Sequence, residues 1–190
     1  MRALLILIIF LIVGCKSTKE KENDFSKYYS NIPILEYPVV IDCHAEIKYF
    51  HFENREDTLV LKYIPSNAYS INGRLKEENE FVTIIYSFPG DSMYPYIFTY
   101  TKNGQSIDTL NLGSFCGEWM GTYGHRIIRM EENKSIEVSD SLRYYLLDSN
   151  DDIIKGTDST IFTKSIYELN EKGYFKKVSE NQEIINNRKK

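Results

Sequence analysis

The chain is poor in the residues that mark familiar chemistries. Its 190 residues include only three cysteines, three histidines and one tryptophan. Neither a CxxC nor an HxxxH spacing occurs, so the closely spaced ligand pairs of structural zinc sites are missing. No stretch is basic enough to follow a phosphate backbone, which argues against nucleic acid as a partner. No cofactor fingerprint appears, and no cofactor is expected. Internal repeats are too weak to indicate a propeller. Long apolar runs are also scarce. The one at the N-terminus, Ala3 to Val13, has eleven residues. As a helix it would rise about 16 Å, roughly half the hydrocarbon core of a bilayer, too little to span it.

What is present begins with that run. Arg2 precedes it, and Ile12-Val13-Gly14-Cys15 follows. The arrangement is that of a signal peptide covering 1–14. Its end resembles the lipobox of bacterial lipoproteins. The resemblance implies a thioether-linked diacylglycerol on Cys15, cleavage before it and acylation of the new amine by a chain such as palmitate. Membrane lipid is then a partner through Cys15, and two or more acyl chains make a stable anchor. Residues 15–24 (CKSTKEKEND) mix charges without an apolar side chain beyond the cysteine and read as a tether. Its Lys-Glu run is similar to surface-export signals of Bacteroidota lipoproteins. The expected address is the cell envelope, in the outer membrane, with the periplasmic and surface faces both open.

Removing the leader leaves 22 basic and 27 acidic residues. Residues 25–178 suit a single domain with a real core, followed by a polar C-terminal tail at 179–190. Fifteen Tyr and ten Phe fit strands whose rings pack while their hydroxyls reach water. Cys43 and Cys116 remain after Cys15. They form one disulfide or stay as two buried thiols; a compartment outside the cytoplasm permits the bridge.

Asp24 reads as the N-cap of a short amphipathic helix that buries Phe25, Tyr28, Tyr29 and Ile32 and ends at Pro33. Beyond it, EIKYFHF, TLVLKYI, FVTIIYSF, YIFTYT, SIDTLNL, HRIIRM, SIEV, SLRYYLL, TIFTKSIYEL and YFKKV read as strands. Turn signals separate them at Asn72-Gly73, Pro89 to Asp91, Asn103-Gly104, Glu131 to Asn133, Ser149 to Asp152 and Asn170 to Gly173. Asn103-Gly104 suggests a type I′ hairpin. The fold class is mainly β: an antiparallel sandwich or barrel-like sheet after a short helix. From about residue 80 to 178, the strand–NG–strand pair, the SIEVSD strand and the closing YELNEKGYF hairpin resemble a group of uncharacterised Bacteroidota lipoproteins. That resemblance implies a β-rich envelope domain and no activity.

The least ordinary stretch is Leu112 to His125, LGSFCGEWMGTYGH. Its glycines and aromatics suggest a binding loop carrying Phe115, Glu118, Trp119, Tyr123 and His125. The alternative is a bulged strand whose Trp119 plugs one end of the core. Cys116, Glu118 and His125 carry the residue types of a thiol nucleophile with its base, but no signature surrounds them. Cys43, His44, His51, Cys116 and His125 are the available soft metal ligands. Cys43 and His44 would point apart on an extended chain, so no metal site is assigned. Asp148-Ser-Asn150-Asp-Asp152 opens like a calcium loop but lacks its glycine and closing glutamate, which favours a polar turn. Tyr94, Tyr96, Phe98 and Tyr100 alternate and line one face, as core or as a sugar-stacking platform.

Five triplets, at Asp57, Asp91, Asp108, Asp140 and Asp158, resemble the O-glycosylation motif of Bacteroidota envelope proteins. The acceptors would be Thr58, Ser92, Thr109, Ser141 and Ser159, and each must face solvent. The functional expectation is a lipid-anchored envelope protein with a non-catalytic binding or structural domain. An immunity-like lipoprotein that neutralises a secreted toxin is the second reading, and a hydrolase with an unrecognised site the third.

Overall fold

The computed structural model describes residues 23–45, 58–76, 80–90 and 93–186. The expected leader, Cys15, the expected tether up to residue 22, EIKYFHF with His51, and Ser92 lie outside the described residues.

Helix α1 (Asp24–Ser30) is capped by Asn23, not Asp24. The Asn23 side chain accepts the Ser26 backbone N–H at 2.8 Å, and Asp24 sits in the first turn where its charge favours the helix dipole. The helix ends at Ser30, before Pro33. The stretch read as the strand TLVLKYI is instead helix α2 (Thr58–Tyr63). Seven residues are too few for periodicity to decide. Packing decides here, because Val60 is buried beside α1 and Phe25 meets the Tyr63 ring edge-on at 5.0 Å.

Among the described residues, ten strands follow the mainly β expectation: β1 (Val39–Asp42), β2 (Ser70–Arg74), β3 (Phe81–Phe88), β4 (Tyr94–Thr101), β5 (Ser106–Asn111), β6 (Gly117–Trp119), β7 (Thr122–Met130), β8 (Ser135–Tyr144), β9 (Ser159–Leu169) and β10 (Phe175–Asn186). They form two antiparallel sheets, not a barrel. The smaller runs β2-β3-β4-β5; the larger runs β1-β7-β8-β9-β10, with β6 also on β7. The sheets pack face to face through Ile85, Ile97 and Leu112 on one side and Ile128, Met130, Ile136 and Val138 on the other. The outer face of the small sheet is covered by α1 and α2, which bury Phe25, Tyr28 and Ile32 against Val82, Ile84 and Tyr86. Strand β3 is therefore buried on both faces, and its near-continuous apolar run FVTIIYSF reflects this. The alternating Tyr96, Phe98 and Tyr100 belong to the helix-covered side, where Tyr100 meets Phe25 at 5.3 Å, so this face is core.

Several boundaries differ from the sequence reading. Asn72-Gly73 is a bulge inside β2, not a turn. SIEV and SLRYYLL form one strand, β8, because both its neighbours pair along its whole length. The polar tail is strand as far as Asn186, paired residue by residue with β9 back to Ser159. An edge strand solvated on one side tolerates that polar composition. Asn103-Gly104 does make a hairpin, but only Gly104 has positive φ (84°). Thr101 N–H donates to the Gln105 carbonyl, so the loop has three residues, and the register shifts near Thr99.

Three turns gather at one end of the sandwich. Asn23, where the described chain enters, donates to the Lys102 carbonyl in the β4–β5 turn. Thr99 of β4 donates to Gly173 in the β9–β10 turn at 2.7 Å. Lys134, in the β7–β8 turn, lies over Phe81 at the start of β3. The β6–β7 hairpin is at the other end of β7, and so at the opposite pole.

Candidate functional site

The site is built around the edge of β7. That edge carries two short strands in line. Val39 to Asp42 pair with Met130 to Ile127, and Gly117 to Trp119 pair with Gly124 to Thr122. Between their ends, Cys43 and Cys116 form a disulfide with Cα atoms 6.1 Å apart. The bridge joins the end of β1 to the start of β6, so the two serve as one spliced edge strand. Because its sulfur is bonded, Cys116 is not a thiol nucleophile here, and the Cys116–Glu118–His125 arrangement has no chemistry in this form.

After Asp42 the chain turns, with Ala45 N–H donating to the Asp42 carbonyl. The turn overrides the strand alternation expected of Cys43 and His44. One His44 nitrogen and the two sulfurs lie within 4.8 Å of one another. His44 Nε2 donates to the Gly124 carbonyl at 3.2 Å, and its ring stacks on Tyr123 at 5.3 Å. His125 donates to Asp42 Oδ1 at 2.9 Å, and the two imidazoles are 4.9 Å apart. Asp42 Oδ1 also accepts the His44 backbone N–H, and this bond, aided by His125, holds the Asp42 carboxyl below the ordinary aspartate range against partial burial.

Strand alternation separates the candidate residues onto two faces. Tyr123 and His125 share the outer face with Glu118, which pairs with Tyr123. On the inner side Phe115 closes over Gly124, where a Cβ would come within 2.5 Å of its ring. That close approach explains why residue 124 is glycine. Trp119 does not plug the core: it is 68 % exposed, and Met120 beside it is 56 % exposed. Met120 and Gly121 both have positive φ, 44° and 73°, as a type I′ hairpin requires. A methionine there is uncommon and carries strain. Behind the hairpin, Leu146, Ile153 and Ile154 are also exposed. Leu147, bridged to Ile153, lies 2.8 Å from where a Gly121 Cβ would be. The result is an apolar apex of Trp119, Met120, Leu146, Ile153 and Ile154, beside the outer-face group Tyr123, His44, His125 and Asp42.

The sequence reading named Trp119, Tyr123 and His125 for this group and His44 only as an available metal ligand, and it missed Asp42. No local signal marks Asp42, because its role depends on β1 lying along β7.

The calcium-like segment resolves as ordinary structure. Asp148 Oδ1 accepts the N–H groups of Asn150 and Asp152, closing a polar turn with its own carboxylate. Among the proposed glycan acceptors, Thr58 and Thr109 are exposed and Ser141 is half-buried on the outer sheet face. Ser159 is fully buried and donates to Asn186, so it cannot carry a glycan in the folded chain.

Two spaces lie between the sheets, one beside Leu112 and Arg126 and one beside Leu75 and Met130. Each holds about 10 Å³, room for roughly one water, so neither admits a ligand. Among the described residues no helix is long and apolar enough to cross a membrane. No family model, curated protein or solved structure matches the chain.

Proposed function

We propose that this chain is a lipid-anchored cell-envelope protein that presents its β6–β7 apex to a macromolecular partner. The anchor rests on the lipobox-like Cys15. The observation that carries the binding role is polar separation. The chain enters at Asn23 beside the β4–β5 turn, and the exposed Trp119 and Met120 stand at the opposite pole. A tether of eight residues can extend at most about 28 Å. It holds the entry end near the bilayer and leaves the apex pointing away. At the apex a partner surface is favoured over a small molecule, because Trp119 and Met120 stand exposed at a hairpin tip and the larger space of about 260 Å³ is lined by β8, β9 and β10 residues such as Asp140, Phe162 and Lys164 instead. Exposed Trp and Met suit such contacts.

Two measurements test this. Cys15→Ala should release the protein from membranes; retention would remove the anchor. A photo-crosslinker placed at residue 119 should then give a discrete adduct in intact cells, and one at residue 102 should not. Equal adducts from both poles, or none from the apex, would remove the binding role. Protease shaving of intact cells assigns the face: digestion from outside favours adhesion or capture. Protection until the outer membrane is broken favours an inhibitor of a toxin acting in the periplasm.

A further inference from the structure

We propose that Cys43, Cys116 and His44 form a binding site for zinc, or a similar thiolate-seeking divalent ion, that becomes available when a dithiol reduces the disulfide. This does not depend on the function proposed above.

Three observations carry the inference. The first is distance. The two sulfurs and one His44 nitrogen already lie within 4.8 Å of one another. Tetrahedral zinc with ordinary Zn–S and Zn–N bonds needs ligand separations of about 3.8 Å between sulfurs and about 3.5 Å between sulfur and nitrogen. Side-chain rotation can supply that change while the backbones stay paired to β7. The second is the tautomer of His44. Its Nε2 faces the Gly124 carbonyl, which can only accept, so Nε2 carries the proton and the neutral ring keeps its lone pair on Nδ1. Metal-binding histidines are commonly oriented by such a bond from the other nitrogen. The third is the sulfur's surroundings. The backbone N–H of Arg126 donates to Cys43 Sγ at 3.1 Å, a contact that stabilises a thiolate.

The chemistry balances simply. A dithiol gives two electrons and two protons to the Cys43–Cys116 bond, becoming a disulfide itself and leaving two thiols. The metal ion then displaces both thiol protons and takes two thiolates and the neutral imidazole, with its fourth position left to water. Either linkage, disulfide or metal, keeps the end of β1 joined to the start of β6. His125, occupied by Asp42, stands outside the set.

The test uses the full chain in detergent with Cys15→Ser throughout, so that only this pair supplies thiols. Zinc affinity is measured by competition with a chromophoric chelator, before and after reduction. The reduced protein should bind one zinc at least 100-fold more tightly than the oxidised form. His44→Ala and His44→Gln should each weaken binding at least tenfold. The glutamine can still donate to Gly124, which separates ligand loss from local collapse. His125→Ala should change affinity by less than threefold. Cobalt in place of zinc should show a thiolate charge-transfer band. Equal affinity in the two redox states, indifference to His44, or dependence on His125 would each overturn the site.

Discussion

Arg126 and Asp140 face each other across β7 and β8 and share a two-pronged ion pair on the inner side of the large sheet. Their side chains are only 15 % and 23 % exposed. Arg126 also donates to the Leu112 carbonyl at 2.5 Å, tying the large sheet to the chain leaving β5. Removing one charge of a pair this enclosed leaves the other desolvated. Asp140→Ala should cost about 3 kcal/mol in urea unfolding. The paired replacement Arg126→Met with Asp140→Leu should recover most of that loss. If the single variant costs under about 0.5 kcal/mol, the pair behaves as an ordinary surface bridge.

The disulfide should matter more than any single surface contact. It joins residues 73 apart in sequence, and in the chain-entropy account such a loop contributes about 4 kcal/mol. Replacing both cysteines with alanine should lower denaturant stability by that order, as should reduction in the absence of metal. An unchanged midpoint would mean that β7 holds β1 and β6 without the splice.

Three buried phenols predict an alkaline limit. Tyr28 and Tyr86 share a hydrogen bond of 3.0 Å under α1, with Tyr100 beside them. Burial raises all three hydroxyls above the ordinary tyrosine value, and Tyr100 is pushed up to about 12. A raised acid pKa means that the neutral form is favoured on folding. That contribution is complete below about pH 10 and is lost as pH climbs through the folded values. Tyr100 alone should account for about 3 kcal/mol between pH 10 and 12. Urea midpoints across that range should fall, and Tyr100→Phe should fall less steeply. Ordinary tyrosine ionisation of all three phenols in the folded protein would contradict this.

The single tryptophan makes the apex directly observable. Trp119 should emit at long wavelength and be readily quenched by acrylamide in the folded protein. Trp119→Ala should change stability by less than about 0.5 kcal/mol. Gly121→Ala should cost about 1–2 kcal/mol, since it combines positive φ with a contact to Leu147. Fluorescence typical of a buried indole would place Trp119 in the core after all.

The fold class was readable because the candidate strands carried their own β-branched or aromatic signal between turn residues, and eight of the ten lie in strands. Boundaries were less readable where tertiary pairing overrode local chemistry. SENQEIIN has no apolar alternation, yet it is strand because β9 supplies a partner throughout. TLVLKYI has good strand composition, yet it coils because α1 offers Val60 a surface. At the candidate site, Trp119 and Tyr123 were visible by rarity and glycine context. Asp42 and His44 come from a segment some 80 positions away in sequence, and no local pattern records that they meet His125 and Gly124.

The spliced edge also has a topological consequence. Everything from α2 through β5 lies between Cys43 and Cys116, so the small sheet is a covalently closed excursion from one strand position of the large one. A protease that cuts once within the ring opens it without dividing the molecule. On a gel the nicked protein would migrate as a single species until a reductant is added, then as two. The β6–β7 apex and the chain's entry would thus stay on one covalent body even after such a cut.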